Sequence, residues 1–108
     1  ETPSTYNDPA LTERVVNHFK TTFGAAQIQE VEPSMAGEDF ALFGRTPEKV
    51  PIFLFWLGTQ DPMQAEKAAK GEIQLPSLHS SLFCPVPEPT IKTGVAAMSE
   101  AALQLFKK

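Results

Sequence analysis

The stretch VPIFLFWLG, residues 50–58, constrains the possible folds of this chain more than any other part of the sequence. Its apolar side chains occupy both alternating positions, so both faces of the predicted strand should be covered. That pattern is typical of the centre of an α/β sheet and not of a hairpin that faces solvent. Gly58 ends the strand, where the chain must turn sharply or approach another group closely.

The sequence before this strand predicts mainly helix. Residues 8–23, DPALTERVVNHFKTTF, have apolar side chains at helical spacing, with Asp8 as N-cap and Pro9 in the first helical position. Residues 27–32 predict only a short, edge-like strand. Residues 34–44 predict a loop that enters a short helix, whose first turn Glu and Asp side chains would suit.

The sequence after the strand predicts two further helical segments. Residues 61–72 indicate a short helix or an insertion with helical tendency, and residues 89–107 predict a long final helix. Gly94 lies inside that helix, where it would allow close packing against the sheet. Two strands make a poor sheet. We therefore expect an α/β fold, a partial sheet with flanking helices, whose other strands lie elsewhere in a parent polypeptide or in a partner.

Charge and cysteine content exclude several classes of function. The formal net charge is −4, and the basic residues form no stripe, which argues against nucleic acid as a partner. No stretch reaches the length of a membrane span. A single cysteine cannot form an internal disulfide, which fits a reducing compartment and leads us to expect the cytoplasm. Because the chain begins with Glu1 and not Met, we expect a processed product, an engineered piece or a proteolytic fragment.

Few residues of this chain have side chains that could bind a metal or take part in catalysis. His79 lies in LPSLHSSLFCP, a loop after the predicted strand, where it could bind metal, act as a base or simply cap backbone groups. Glu38 and Asp39 could bind metal or exchange protons, but adjacent helical residues point in different directions, so we interpret them as stabilising a helix start. Cys84 could form a nucleophilic pair with His79, although its apolar neighbours favour a small packed residue.

The order of four motifs resembles the closing part of a known enzyme family. They are MAGEDFALF (35–43), VPIFLFWLG (50–58), LHSSLF (78–83) and the helix EPTIKTGVAAMSEAALQLF (88–106). The family comprises the metal-dependent amidohydrolases and peptidases that include hippurate hydrolase, auxin-conjugate amidohydrolases, aminoacylases and glutamate-releasing carboxypeptidases. The opening TPSTYNDPALTERV (2–15) resembles the point where such chains leave a lid domain and re-enter the catalytic domain.

This resemblance implies that residues 1–108 are the C-terminal segment of a zinc-peptidase-like catalytic domain, without the lid domain and the upstream half of the catalytic domain. The parent would hydrolyse the amide bond of small N-acyl amino acids, amino-acid conjugates or peptides. His79 matches the last protein ligand of a two-metal site, which would hold zinc, manganese, cobalt or nickel. Glu38, Asp39 and Gly58 would lie beside the substrate pocket without binding metal.

The resemblance also limits what this chain can do alone. The other metal ligands and the general base would come from the upstream half, so no catalytic residue is expected within this chain. The chain alone would bind metal weakly and hydrolyse nothing, because even one catalytic zinc takes about three protein ligands. We expect no nucleic acid or membrane partner, and the parent could form a homodimer.

The sequence departs from the family pattern at several places. Pro87 stands where Asp is usual, although Glu88 is kept, and VPIF replaces the common VPGF. Residues 60–77 fill a space whose length varies among relatives. These departures leave an alternative open, in which the chain is a non-catalytic interaction domain that retains the family fold. A cysteine hydrolase built on Cys84 and His79 is a third, more distant hypothesis.

Overall fold

The computed structural model describes residues 2–107, and their regular structure is entirely helical. The helices are α1 (Pro9–Phe23), α2 (Pro62–Ala69) and α3 (Pro87–Phe106), with short 3₁₀ helices at Ala25–Gln27 and Phe40–Arg45. The chain divides into two units. The first unit contains the residues up to Phe55 and those from Ser99 onward, and the second unit is Trp56–Met98.

The predicted partial sheet is not seen among residues 2–107. Residues 50–58 are not part of a β-ladder, and the predicted strand at 27–32 begins in a 3₁₀ helix and continues without regular structure. A strand is defined by hydrogen bonds to a neighbouring strand, and the described residues offer the segment 50–58 no second strand. The apolar pattern therefore predicted the packing of this segment only in part, and the strand pairing that would make it a sheet is missing among the described residues.

Asn7 and Asp8 take the place of a neighbouring strand along one edge of this segment. The side-chain amide of Asn7 donates to the carbonyl of Leu54 at 2.8 Å, and its Oδ1 accepts from the Leu54 N–H at 2.8 Å. The Asp8 N–H donates to the carbonyl of Ile52 at 2.9 Å. A side-chain amide carries the same donor and acceptor as a peptide group, so it satisfies the backbone of Leu54 as a strand would.

Residues on each face of the segment make packing contacts, but the predicted covering of both faces is only partial, because no residue of 50–58 is buried and Val50 and Trp56 are more than half exposed. The rings of Phe53 and Phe55 stack with centroids 5.7 Å apart, and Phe55 packs edge-to-face on Phe19 of α1 at 5.4 Å. On the opposite face Ile52 lies against Gly44, where an added Cβ would come within 3.0 Å of its side chain. A side chain at position 44 would therefore require the Ile52 side chain to shift by a few tenths of an ångström.

The ends of α1 and α2 follow from their local sequence. The Asp8 carboxylate accepts from the Leu11 N–H at 2.8 Å and caps α1, which confirms the prediction from DPALT. Gly24 ends α1 with φ 91°, a backbone conformation that glycine adopts without strain. Asp61 caps α2 in the same way as Asp8 caps α1. Of the two alternatives for residues 61–72, the short helix is confirmed over Pro62–Ala69, and residues 70–72 continue as turns.

The long helix α3 begins two residues earlier than predicted, at Pro87. Proline suits the first turn of a helix, where its missing N–H would have no partner, so Pro87 has a structural reason to be there. Gly94 packs closely against Leu57, because an added Cβ would stand 3.1 Å from the Leu57 side chain. The expected close approach at Gly94 is confirmed, and it is made to the segment that was predicted as a strand.

Polar contacts tie α1 to the end of α3 within the first unit. The Arg14 guanidinium donates to the carbonyls of Gln104 and Lys107, which lie at the C-terminal end of α3. The His18 ring pairs with the Glu100 carboxylate at 2.8 Å, and both side chains are partly buried. Arg14 thus satisfies carbonyls that the helix itself leaves without a donor.

A search of the helices within residues 2–107 finds none that combines the length and the apolarity needed to cross a membrane.

Replacing Asn7 by Ala should destabilise the first unit, because it leaves the N–H and C=O of half-buried Leu54 without their partner. We expect the free energy of unfolding, measured by urea titration, to fall by about 1–3 kcal/mol. Asn17→Ala is the matched control, since Asn17 is exposed on α1 and its side chain makes no hydrogen bond within residues 2–107. Equal stability of the two variants would contradict the role of Asn7.

Candidate functional site

His79 lies on a pair of consecutive turns in the second unit. The Ser80 N–H donates to the Ser77 carbonyl, and the Phe83 N–H donates to the Ser80 carbonyl, both at 3.0 Å. The hydroxyl of Ser80 accepts from the Leu82 N–H at 3.1 Å. The serines that flank His79 therefore fold the backbone into turns, which confirms the predicted loop.

The imidazole of His79 is exposed, and it makes no hydrogen bond to any other residue in the range 2–107. The alternative role, in which His79 caps backbone groups, thus has no support here, since Ser80 makes the local side-chain contact instead. An exposed imidazole outside any hydrogen bond keeps a ring nitrogen for a metal ion or for a proton.

Glu38 and Asp39 lie at the start of the 3₁₀ helix Phe40–Arg45, in the first unit. The Glu38 carboxylate accepts from the Phe40 N–H at 2.9 Å, whereas the Asp39 side chain makes no capping hydrogen bond. Both side chains are exposed. The expectation that both carboxylates lie in the first turn is wrong, because the helix begins after them at Phe40, but the Glu38 carboxylate does stabilise the helix start through the Phe40 N–H. A role of either residue beside a substrate pocket stays a prediction.

Gly58 follows the segment 50–57 and is exposed in the second unit. A Cβ added at Gly58 would meet no atom of the described residues within 4 Å, so none of them makes the expected close approach. The next residue, Thr59, accepts through its carbonyl from the Val86 N–H at 2.8 Å. The described residues therefore leave open space beside Gly58, and the Val86 N–H holds the backbone that follows it at Thr59.

Cys84 is exposed, so its interpretation as a small packed residue is wrong. Its apolar neighbours in the sequence Leu82–Pro85 do not enclose it, because the turns after His79 carry this segment along the surface. No hydrogen bond joins Cys84 to His79 in the part of the chain that the structure describes. The geometry thus provides no base to activate the thiol.

The candidate residues are divided between the two units of the chain. Across residues 2–107, no three His, Cys, Asp or Glu side chains come together in a way that could hold a metal ion. His79 and Gly58 belong to the second unit, and Glu38 and Asp39 belong to the first. Since even one catalytic zinc takes about three protein ligands, residues 2–107 do not assemble such a site by themselves.

The first unit carries a hollow of about 220 Å³ that the sequence did not lead us to expect. Tyr6, Arg45 and Lys49 are among the residues that line it, and none of the predicted site residues does.

Lys49 ends a turn that starts at Thr46 and has φ 48°, in the region that glycine favours. The backbone N–H of Glu48 and the Thr46 hydroxyl hold the pKa of the Glu48 carboxyl below its usual value.

Comparison with known proteins identifies sequence similarity to one enzyme family. The sequence pattern of peptidase family M20/M25/M40 matches residues 1–80. The N-acetyldiaminopimelate deacetylase of Limosilactobacillus reuteri is 36% identical over 93 residues, which cover 86% of this chain and 20% of the relative. The enzyme of the same name from Limosilactobacillus fermentum is 44% identical over 62 residues, which cover 57% of this chain and 15% of the relative.

A third N-acetyldiaminopimelate deacetylase, from Lactobacillus acidophilus, is 34% identical over 92 residues, which cover 85% of this chain and 20% of the relative. The chain thus spans no more than about a fifth of the length of these curated relatives. No solved structure matches the chain significantly.

Because Cys84 is the only cysteine and is exposed, one thiol per chain should react with a disulfide reagent such as DTNB without denaturant. The rate should be the same in the wild type and in His79→Ala, since no hydrogen bond within residues 2–107 joins the two side chains. The absorbance of the released thiolate measures both rates. A reaction that slows by roughly tenfold or more in His79→Ala would restore the hypothesis of a Cys–His pair.

Proposed function

Because the chain belongs to peptidase family M20/M25/M40, we propose that it is the C-terminal part of the catalytic domain of a metal-dependent amidohydrolase. The family match over residues 1–80 supports this reading. The relatives extend far beyond the region they share with the chain, which supports a longer parent polypeptide. The lid domain and the upstream half of the catalytic domain would belong to that remaining length.

The proposed reaction is hydrolysis of the amide bond in a small N-acyl amino acid. All the relatives described above are named N-acetyldiaminopimelate deacetylase, so an N-acetylated diamino acid is the substrate that their names favour. The formal net charge of −4 and the absence of a basic stripe in the sequence fit a small-molecule substrate better than a nucleic acid.

His79 is the residue of this chain that we propose as a metal ligand. The supporting observation is that its imidazole is exposed on a double turn and makes no hydrogen bond within residues 2–107. A neutral imidazole binds zinc, manganese, cobalt or nickel, and the turns formed by Ser77, Ser80 and Phe83 would limit its movement. When bound, a pair of such ions would polarise the amide carbonyl and activate water.

The chain's other contribution would be to shape the surroundings of that ligand. Gly58 leaves open space in the unit that also holds His79, so a substrate group could approach the backbone there. Glu38 is engaged by the Phe40 N–H, which supports a role in fixing the GEDF turn rather than in binding metal. Asp39 makes no capping bond and stays available beside this turn.

The alternative, a non-catalytic interaction domain, rests on the short chain, the lone candidate histidine and the missing Asp, at whose place Pro87 stands. In the structure Pro87 is the first residue of α3, a position that proline suits, so the exchange has a local structural reason. This observation weakens the alternative, because the proline is explained by the start of the helix and need not indicate that the parent has lost its catalytic activity.

In the intact parent, His79→Ala should lower the metal content by about one ion and the rate of amide hydrolysis by roughly 100-fold or more, since even outer-shell partners of a metal cost 10–100-fold. Elemental analysis and a deacetylation assay measure the two effects. Ser81→Ala is the matched control, because Ser81 is an exposed residue of the same turns without a side-chain hydrogen bond. Unchanged metal content and rate in His79→Ala would remove His79 from the site.

The 108-residue chain alone should show no metal-dependent hydrolysis of an N-acetyl amino acid, and it should bind zinc only weakly. The reason is that residues 2–107 hold no cluster of three possible ligands, whereas a catalytic zinc takes about three. Calorimetric titration with zinc and a discontinuous amine assay test both statements. Hydrolysis by the purified chain that a chelator abolishes would contradict them.

A further inference from the structure

The hollow of about 220 Å³ in the first unit has more positive than negative charge around it. Arg45 and Lys49 line it together with Tyr6, and Asp8 is the acidic residue among its lining. The Asp8 carboxylate is engaged at the start of α1, where it accepts from the Leu11 N–H at 2.8 Å. The positive end of a helix offsets such a charge, so the two cations dominate the hollow.

Neither cation is paired with a carboxylate in the part of the chain that the structure describes, where the ion pairs join other residues. The Arg45 guanidinium donates to the carbonyl of Ser4 at 3.2 Å, which leaves it further N–H donors and holds it beside the hollow. The carboxylate of Glu48, the residue before Lys49, accepts instead from its own backbone N–H and from the Thr46 hydroxyl. Both cations therefore remain available to a ligand.

The backbone of Lys49 is held in a conformation that costs free energy. Its φ of 48° lies in the left-handed region, which residues with a side chain rarely adopt. The Lys49 N–H donates to the Thr46 carbonyl at 2.9 Å, so the turn fixes this conformation. Glycine would adopt it without strain, yet the chain has a lysine there. Strain of this kind is concentrated at ligand-binding positions, so it supports a role for the Lys49 ammonium independently of charge.

We propose that this hollow binds a small oxyanion, a carboxylate or a phosphate group. The Arg45 guanidinium and the Lys49 ammonium donate hydrogen bonds and accept none, and the Tyr6 hydroxyl can donate another. The two positive charges would repel a metal cation. A guanidinium matches the oxygens of a carboxylate or a phosphate with two parallel hydrogen bonds.

The size of the hollow limits the ligand to a small molecule. Its volume of about 220 Å³ lies below the range of about 300–1,000 Å³ that is usual for pockets of larger ligands. The basic residues of the sequence also form no stripe that could follow a nucleic acid backbone. The inference goes beyond the proposed function and does not rest on the hydrolytic activity.

Titration of the intact parent with inorganic phosphate and, separately, with acetate tests the proposal. The protein is first dialysed free of metal, and the ionic strength is kept constant, so that neither a metal site nor salt screening contributes. We expect the backbone amide NMR signals of Tyr6 and Lys49 to shift and to saturate with at least one of the two anions. Saturation with one anion alone identifies the oxyanion that the hollow prefers. No saturable shift with either anion would overturn the proposal.

Lys49→Gly separates binding from folding. It removes the ammonium but suits φ 48°, so the urea midpoint of unfolding should not fall. Anion binding should weaken by about tenfold or more, as expected for the loss of a charge-assisted hydrogen bond, and Arg45→Gln should have the same effect. Lys20→Gln is the matched control, since it removes one positive charge from an exposed residue of α1 outside the hollow.

The affinity of Lys20→Gln should stay within about twofold of the wild type, because a distant exposed charge is screened by salt. Equal affinity of the wild type and Lys49→Gly would contradict the proposal, and so would an equal loss in Lys20→Gln. The titration requires no hydrolysis. An inactive parent would therefore count against the proposed function and leave the anion site standing.

Discussion

The pair of hydrogen bonds between the Asn7 side chain and the Leu54 backbone is the contact on which the first unit depends. It holds Leu54 beside Asn7, just before α1, and the Asp8 N–H extends the contact to Ile52. With the segment held there, Phe55 can pack on Phe19 and Ile52 on Gly44. A single side-chain amide thus orders an apolar segment that would otherwise lack partners for its backbone.

The helices could be predicted from the sequence because their signals are local. Asp8 and Asp61 cap helices through side-chain contacts to residues two or three positions ahead, and Gly24 ends α1 through its own backbone conformation. Such contacts need nothing from distant parts of the chain. Pro87 shows the limit of this reasoning, since it starts α3 two residues earlier than the periodicity of the apolar residues indicated.

The sheet could not be predicted correctly because pairing is not a local property. The continuous apolar run in 50–58 predicts that both faces are covered, and the contacts of Phe55 with Phe19 and of Ile52 with Gly44 provide part of that covering. It does not report whether another strand lies beside the edge, which depends on residues far away in the sequence. The prediction of a short strand at 27–32 was also wrong. The 3₁₀ helix Ala25–Gln27, which starts from Gly24, occupies the beginning of this stretch.

The candidate site could be predicted only where its signals are local in the sequence. The motif LHSSLF identifies His79, and the structure explains the serines around it as the residues that fold the turns. The motif does not reveal the exposure of Cys84, nor the hollow beside Tyr6 and Lys49, because these depend on how separate segments pack. A metal site with ligands from distant parts of a polypeptide cannot be assembled from one of its segments.

The central claim is that this chain supplies one ligand to a metal site that the rest of its polypeptide completes. A crystal structure of the metal-loaded intact parent, with anomalous data collected at the metal absorption edge, tests it most directly. The account predicts an anomalous peak about 2.0–2.1 Å from an imidazole nitrogen of His79, the usual length of a zinc–nitrogen bond. A fully loaded metal site with the His79 imidazole free in solvent would contradict it.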